Sequence, residues 1–271
     1  MESLSRELIN FLSPSFAILF VAGIFVGCCG FPVGRRKYYG MFNVVELQDT
    51  FYNPPEPGKL ARLRQEAPES FTFTMKAWQA ITHPVDSPTW KRSRFKPGGE
   101  LRDRYGYLRP TREVLEAWEQ TASAARALQA RVVVLQMPPS FTASEENVRN
   151  AESFFSTVES REFIIGWEVR GDWPRNLDKL ARVLEKFDRV IHVVDPFKLA
   201  PAVERGTAYF RLHGIGPREV NYRYKYTDAD LERLWEMAEP RSSRGEVYVM
   251  FNNVYMLQDA LRFKEKYLRA A

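Results

Sequence analysis

The sequence contains only two cysteines and three histidines, and these small numbers exclude several kinds of protein. Cys28 and Cys29 are adjacent, so they cannot form a disulfide framework, and they do not have the spacing of metal ligands. Free thiols favour a reducing compartment, and we therefore expect a cytoplasmic protein. Three histidines also argue against a site that binds several zinc ions.

A strong excess of one charge is missing as well. The 39 basic and 34 acidic residues give a net charge of +5. This balance allows an anionic ligand, but it is weaker than the basic excess of a dedicated nucleic-acid-binding protein. Hydrophobic residues make up 45% of the chain, so a large core can form and general disorder is excluded.

One long uncharged run needs a separate explanation. Residues 11–34 contain no charged side chain, and such a run is long enough to cross a bilayer. Proline, serine and glycine interrupt it, and the segment before it lacks the positive region of a signal or anchor. We therefore divide the run: residues 1–23 form an N-terminal extension, and a buried strand begins at Ile24. No membrane partner is expected.

Eight short apolar runs predict eight strands separated by helical patterns. The predicted strands are residues 24–28, 43–47, 71–76, 131–136, 163–168, 190–194, 207–212 and 246–251. The predicted helices are residues 56–67, 111–128, 144–160, 176–188, 198–205, 227–239 and 255–269. Four of these helices start at residues that commonly cap helices, namely Thr111, Ser144, Asn176 and Thr227.

This alternation of strands and helices predicts an α/β fold with a parallel sheet. Each strand–helix unit averages about 31 residues, which is typical of a (β/α)8 barrel. We therefore predict a single TIM barrel over residues 24–271, with an N-terminal extension and a long loop after the third strand. A doubly wound open sheet is the alternative, but no Gly-x-Gly-x-x-Gly motif follows any strand.

Polar side chains end seven of the eight predicted strands, and in such a barrel these ends form the working face. They are Glu46, Lys76, Gln136, Glu168 with Arg170, Asp195, Arg211 with His213, and Asn252 with Asn253. Because side chains alternate along a strand, Lys76 shares the inner face with Thr72 and Thr74, whereas His192 points outward and is structural. Buried charges that converge in this way require mutual pairing or a ligand.

The chain also resembles a known family, the domain of unknown function 72 (YecE-like) family, over about residues 24–269. The resemblance depends on Glu46 with Thr50-Phe51-Tyr52, FTFTMKA with Ile81-Thr82-His83, LQMPPSF, WEVR with Trp173, Asp195-Pro196, RLHG and FNN. It implies a TIM barrel and adds His83 to the site residues, but it implies no reaction. The sequence departs from the family pattern at Gln48-Asp49, usually Asn-Ser, and at Gly171, usually histidine.

The leading hypothesis is an enzyme, a hydrolase or a lyase, that uses acid–base chemistry on a polar or anionic small molecule without a cofactor or metal. Glu168 is the predicted general acid or base, Lys76 and Arg211 bind negative charge, and His213 transfers a proton. The predicted catalytic residues are Glu168, Lys76, His213 and Glu46. The predicted substrate-binding residues are Arg170, Arg211, Gln136, Asp195, Asn252 and His83.

Several alternatives stay open at this point. The loop from Trp78 to Pro110 interleaves basic and aromatic residues, which suits a nucleic-acid-binding or phosphodiester-cleaving barrel, although a solvated cover explains the loop equally well. A single Mg²⁺ or Mn²⁺ could bind to Glu46, Glu168 and Asp195. The pair Glu46 and Glu168 also suits glycoside chemistry. The last alternatives are a binding barrel without catalysis and a purely structural network of charges.

Overall fold

A computed structural model describes residues 23–158 and 162–268 of the chain. Eight parallel strands close into a barrel in chain order, with β1 paired to both β2 and β8. The chain is therefore a TIM barrel, as predicted. The strands are β1 (Ile24–Cys29), β2 (Val44–Leu47), β3 (Thr72–Lys76), β4 (Ala130–Gln136), β5 (Ile164–Glu168), β6 (Val190–Val194), β7 (Thr207–Leu212) and β8 (Glu246–Phe251).

Helices follow most of the strands on the outside of the barrel. They are α1 (Arg35–Tyr39), α2 (Pro57–Glu66), α3 (Gln79–Thr82), α4 (Arg112–Leu128), α5 (Glu145–Thr157), α6 (Leu177–Leu184), α7 (Asp228–Ser242) and α8 (Met256–Tyr267). The short helices α1 and α3 are not among the predicted elements. The ends of the predicted helices 144–160 and 255–269 fall partly outside the described residues.

The predicted helix at residues 198–205 is wrong. After β6 the chain forms a turn closed by Lys198 and Leu199, whose N–H groups donate to the Asp195 carbonyl. Pro201 has no N–H to continue a helix. The next N–H, that of Ala202, donates to Nδ1 of His192 instead. The same bond confirms that His192 faces outward in a structural role.

Side-chain caps explain where three of the long helices begin. Thr111 accepts from the Val114 N–H and Ser144 from the Asn147 N–H, which satisfies backbone donors in the first turn. Thr227 forms a reciprocal capping box with Asp230. Asn176 is the N-cap residue of α6, as predicted, but its side chain donates to the Asp172 carbonyl and makes no capping bond to the first turn.

Strand alternation divides the core into an outer and an inner part. Phe73, Met75 and their counterparts pack against the helices, whereas smaller residues and two stacked tyrosines, Tyr209 and Tyr248, fill the barrel. Gly27 allows β1 and β2 to approach, because a Cβ at this position would lie 2.1 Å from the Val44 carbonyl oxygen. The outward and inward faces of β3 agree with the predicted alternation.

Of the predicted N-terminal extension, residues 1–22 lie outside the described part of the chain. The long uncharged run therefore overlaps the described structure mainly in β1, the predicted buried strand. Among the described residues, every helix is too short or too polar to cross a bilayer.

Deletion variants test which part of the N-terminal run the barrel needs. Removal of residues 1–22 should leave cooperative unfolding intact, because β1 begins at Ile24. Removal of residues 1–30 should abolish it, because β2 and β8 would lose their shared neighbour and expose two sheet edges. Thermal unfolding followed by circular dichroism measures both results. If the protein without residues 1–30 unfolds as cooperatively as the full chain, the barrel does not require β1.

Candidate active site

The barrel register brings three of the polar strand-end side chains to one height, together with Cys29. Strands in such a barrel are staggered, so inward side chains of alternate strands form layers of four. The observed register places Cys29, Lys76, Glu168 and Arg211 in one layer, here named the charged layer. The next layer toward solvent holds Gln48, Gln136, Asp195 and Asn252. The space above the charged layer is the mouth of the barrel.

Arg211 is the centre of this arrangement. It has no exposed surface, and its Nη2 lies 2.9 Å from Oε1 of Glu46, one layer deeper, while its Nε donates to Glu46 Oε2 at 3.1 Å. Its Nη1 donates to Oε2 of Glu168 and, at 3.3 Å, to Oε1 of Gln136. The Tyr209 hydroxyl adds a hydrogen bond of 2.8 Å to Glu46 Oε2. Arg211 therefore neutralises two buried carboxylates and does not face the mouth.

Glu168 is held by a second arginine on its solvent side. Arg170 donates to Glu168 Oε1 from Nη2 at 2.8 Å and from Nε at 3.1 Å. Burial alone would raise the pKa of Glu168, but Arg211 and Arg170 together hold it well below its usual range. Glu168 therefore stays ionised at neutral pH and is a weak proton acceptor.

His213 stands between two carboxylates. Its Nε2 lies 3.8 Å from Glu168 Oε1, and its Nδ1 lies 3.9 Å from Asp195 Oδ2. Burial lowers the pKa of His213 to about 3, so the ring is neutral at neutral pH. Within the described residues, Nε2 has no hydrogen-bond partner. A buried ring nitrogen without a partner is unusual in folded proteins and is therefore open to a ligand.

Asp195 has a different environment from Glu168. Its carboxylate accepts the backbone N–H groups of His213 at 3.1 Å and Phe197 at 3.2 Å. Burial nevertheless raises the pKa of Asp195 to about 6. Asp195 can therefore gain or lose a proton close to neutral pH, as a general acid or base must.

Lys76 is the cation of the charged layer without a carboxylate partner. Its side chain is 6% exposed, and Nζ lies 3.7 Å from the centre of the Phe51 ring. Among the described residues, no ion pair within 4.0 Å includes Lys76. Burial, and then the positive charge of Arg211, lower the pKa of Lys76 to about 7. At neutral pH the side chain is therefore a mixture of ammonium and neutral amine.

The remaining predicted residues lie around this layer. The His83 ring packs edge-on against Phe51, the same ring that contacts Lys76, and its Nδ1 pairs with the Thr82 hydroxyl at 2.8 Å. Gln136 joins the network through Arg211. Asn252 is half-buried one residue past β8, and the hydrogen bond seen for it in the described structure joins its backbone N–H to the Leu212 carbonyl.

Three residues of the site are absent from the sequence prediction. The position of Tyr209 could have been predicted, because strand alternation puts its side chain on the inner face with Arg211. Phe51 lies in the Thr-Phe-Tyr stretch, but nothing in that stretch reveals the contact with Lys76. Gln48, which donates to Glu46 Oε1, gave no signal because it departs from the family pattern.

The metal alternative does not fit this geometry. Arg211 lies between the carboxylates of Glu46 and Glu168 and binds both. Over residues 23–158 and 162–268, no three His, Cys, Asp or Glu side chains form a group able to hold a metal ion. Glu46, Glu168 and Asp195 are therefore not arranged as a set of metal ligands.

A small cavity opens the mouth on the side of β5 to β7. It has a volume of about 90 Å³ and is lined by Glu168, Arg170, Asp195, Lys198, His213 and Glu219, among others. At the rim beyond it lie three exposed hydrophobic residues, Tyr222, Val254 and Tyr255. The Val254 N–H donates to the Tyr222 carbonyl, which joins the loops after β7 and β8.

The long loop after β3 folds into a compact unit, here named the cap, that comprises residues 79–109. Backbone bonds from Gly106, Tyr107 and Leu108 to carbonyls of α3 join the end of the cap to its beginning. Its aromatic residues pack against one another, and both Trp90 and Tyr105 are buried. The basic side chains of the loop remain mostly exposed. The cap is therefore a packed element, and two of its predicted base-stacking aromatics are core residues.

Replacement of Arg211 tests whether the barrel depends on the buried network. Arg211→Met should lower the free energy of unfolding by about 3–5 kcal/mol, because two buried carboxylates lose their cation. Arg112→Ala is the control, since its partner Glu116 is also exposed and the pair should contribute little. Urea unfolding measures both variants. Equal losses in the two variants would contradict a central role for Arg211.

Alkylation tests whether the two cysteines are reactive. Burial raises the pKa of Cys28 to about 12 and that of Cys29 well above its usual range. Little thiolate is therefore present at neutral pH, and iodoacetamide should label the folded protein slowly. The same protein in denaturant is the control and should label rapidly at both positions. Fast labelling of the folded chain would show that a thiol is accessible and activated.

Comparisons with known proteins agree with this fold. A search of curated proteins finds no match. DUF72 family proteins from Enterococcus faecalis and Thermotoga maritima share the structure, with TM-scores of 0.67 and 0.64 and identities of 20% and 23%. The alignments cover 91% and 90% of this chain and 98% of each of those chains. Endonuclease IV from Thermus thermophilus shares only the fold, with a TM-score of 0.52, 11% identity, and coverage of 89% of this chain and 99% of that chain. Residues 34–270 match the family described as "Protein of unknown function DUF72", and the chain belongs to this family.

Proposed function

We propose that the protein is an enzyme that uses acid–base chemistry on a polar, anionic small molecule bound in the barrel mouth. One observation carries the proposal. The buried carboxylates Glu46 and Glu168 are both paired with arginine, yet among the described residues Lys76 has no carboxylate within 4.0 Å and His213 Nε2 has no hydrogen-bond partner. The buried His213 nitrogen costs stability unless a ligand contacts it, and an anionic ligand would supply the carboxylate-like partner that Lys76 lacks.

The electrostatics support a division of roles among the mouth residues. Asp195, whose pKa lies near 6, is the proposed proton donor or acceptor, and His213 relays or orients the proton. Lys76 and Arg170 bind the negative charge of the substrate, while Gln136 and Asn252 orient it. His83 supports the Phe51 ring beneath Lys76.

This division changes two of the roles that the sequence suggested. Glu168 was the expected general acid or base, but two arginines hold it ionised, so we assign it to positioning Arg170 beside the mouth. Arg211 was the expected substrate-binding cation, but it has no exposed surface and already holds Glu46 and Glu168. Glycoside chemistry between these two carboxylates is disfavoured for the same reason, because Arg211 occupies the space between them.

Nucleic-acid binding is the second candidate, and a separate surface favours it. A cavity of about 440 Å³ lies between the loop after β2 and the cap, and its lining includes Tyr52, Arg92 and Arg94. The Arg92 guanidinium lies 3.7 Å from the centre of the Tyr52 ring. Basic groups with an aromatic face suit phosphates and bases. The enzyme is preferred because, among the described residues, the mouth holds both a buried lysine that forms no ion pair and His213, whose Nε2 has no hydrogen-bond partner.

A binding screen separates the two candidates. Carboxylates, sugar phosphates and nucleotides are compared with short DNA by thermal shift, alongside metal analysis of the protein, because a ligand of the native state raises the melting temperature. A small anion should stabilise the protein, and Lys76→Met should weaken its binding about tenfold to a hundredfold, as expected for a lost charge-assisted contact.

Matched variants identify the surface that is used. Lys186→Met, in an exposed ion pair with Glu152 on the outside of the barrel, should bind the anion like the wild type. Stabilisation by DNA alone, lost in Arg92→Ala/Arg94→Ala, would favour the nucleic-acid candidate instead. If no ligand shifts the melting temperature and Lys76→Met changes only stability, the charges are structural and the enzyme proposal fails.

A further inference from the structure

The surroundings of the Lys76 amine differ from those of the lysines that form ion pairs. Lys59, Lys179 and Lys186 form ion pairs with Glu56, Glu145 and Glu152, on or near the surface. Lys76 is almost completely buried, its Nζ lies on the face of Phe51, and both carboxylates of its neighbourhood are bound by arginines. In the described part of the chain, Lys76 therefore combines near-complete burial with the lack of an ion-pair partner.

We propose that Lys76 is a nucleophile that forms an imine with a carbonyl substrate, so that the substrates are aldehydes or ketones that carry an anionic group. This inference rests on the proposed function, because it uses the same mouth and the same anionic ligand. A lysine becomes nucleophilic when it is removed from water and placed near other cations, which favour its neutral form. Lys76 meets both conditions, with Arg211 in its own layer and Arg170 next to Glu168.

The covalent step is balanced without any oxidant, reductant or metal. The Nζ lone pair of the neutral amine attacks the carbonyl carbon, a C–N bond forms, and the C=O π pair moves to oxygen. A proton passes from nitrogen to that oxygen and gives a carbinolamine. The hydroxyl then takes one proton from solvent and leaves as water while nitrogen supplies the pair for the C=N bond. The product is a protonated imine on Lys76 and one water molecule.

The surroundings of Lys76 limit where a substrate with a carbonyl and an anionic group can lie. The cavity of about 90 Å³ on the side of β5 to β7 is lined by the cations Arg170 and Lys198 and by the carboxylates Glu168, Asp195 and Glu219, and Lys76 is not among its lining residues. Lys76 lies on β3 in the same layer as Glu168, which does line the cavity. The proposed ligand therefore extends from the cavity to Lys76, with its carbonyl at Lys76 and its anionic end near Arg170 and Lys198. Short α-keto acids and the phosphate esters of short sugars have this arrangement of groups.

Reductive trapping tests the inference on the full chain. The protein is incubated with pyruvate or with glyceraldehyde 3-phosphate, reduced with borohydride and mapped by peptide mass spectrometry. Lys76 should be modified about tenfold faster than the exposed Lys186, because its amine is the desolvated one. Labelling of Lys76 should increase as the pH is raised through about 7, where the amine loses its proton. Equal labelling of all lysines, or none at Lys76, would overturn the imine.

Two substitutions control for folding and for charge. Lys76→Arg keeps the positive charge and should still bind the anion in the thermal-shift screen, but it cannot form an imine and should not be trapped at this position. Lys186→Met should be trapped at Lys76 like the wild type. If Lys76→Arg does not fold, the position of the adduct on the wild-type chain decides the question by itself.

The two proposals fail in different ways. If pyruvate or glyceraldehyde 3-phosphate stabilises the wild-type protein but leaves no adduct at Lys76, the imine is overturned while the acid–base enzyme stands. If neither probe binds and other anions do, the carbonyl class is overturned. If no anion binds and no adduct forms, both proposals are overturned together.

Discussion

Arg211 is a cation enclosed inside the barrel, and the chemistry of the mouth depends on it. It binds Glu46 and Glu168 at once, and the deeper of these carboxylates has no exposed surface either. Both carboxylates are engaged with arginine, and neither forms an ion pair with Lys76 in the described structure. Burial lowers the pKa of Lys76, the positive charge of Arg211 lowers it further, and the same charge helps to keep Glu168 ionised. The buried arginine therefore weakens Glu168 as a base and shifts Lys76 toward its neutral form.

The fold and the position of the site could be predicted from sequence because both follow from short-range patterns. β-Branched runs define the strands, and strand alternation places Lys76 inside and His192 outside. Short-range patterns could not show that residues 198–205 do not form a helix. The Ala202 N–H donates to Nδ1 of His192, and this contact depends on the tertiary structure. The pairing of Arg211 with Glu46 and Glu168 also escaped prediction. It depends on barrel register, which decides which side chains reach one another across the axis.

The departure from the family pattern at Gly171 has a structural explanation in this chain. Gly171 has a φ of +69°, and a Cβ there would lie 2.3 Å from the Pro139 carbonyl oxygen. Only glycine adopts this conformation so close to a neighbouring backbone without strain. A histidine at this position would require the turn after β4 to move. The chain instead uses the tight turn to direct Arg170 back onto Glu168.

The cap and the rim opposite it differ in character, and this bears on how a ligand would reach the mouth. Buried aromatic residues and backbone hydrogen bonds hold the cap in one packed arrangement. On the other side, the loops after β7 and β8 present the apolar side chains of Tyr222, Val254 and Tyr255 to solvent, and the Tyr222 ring lies 6.1 Å from the ring of His213. A ligand that enters the mouth there, as the proposed function requires, would pass apolar side chains before it meets the charged residues.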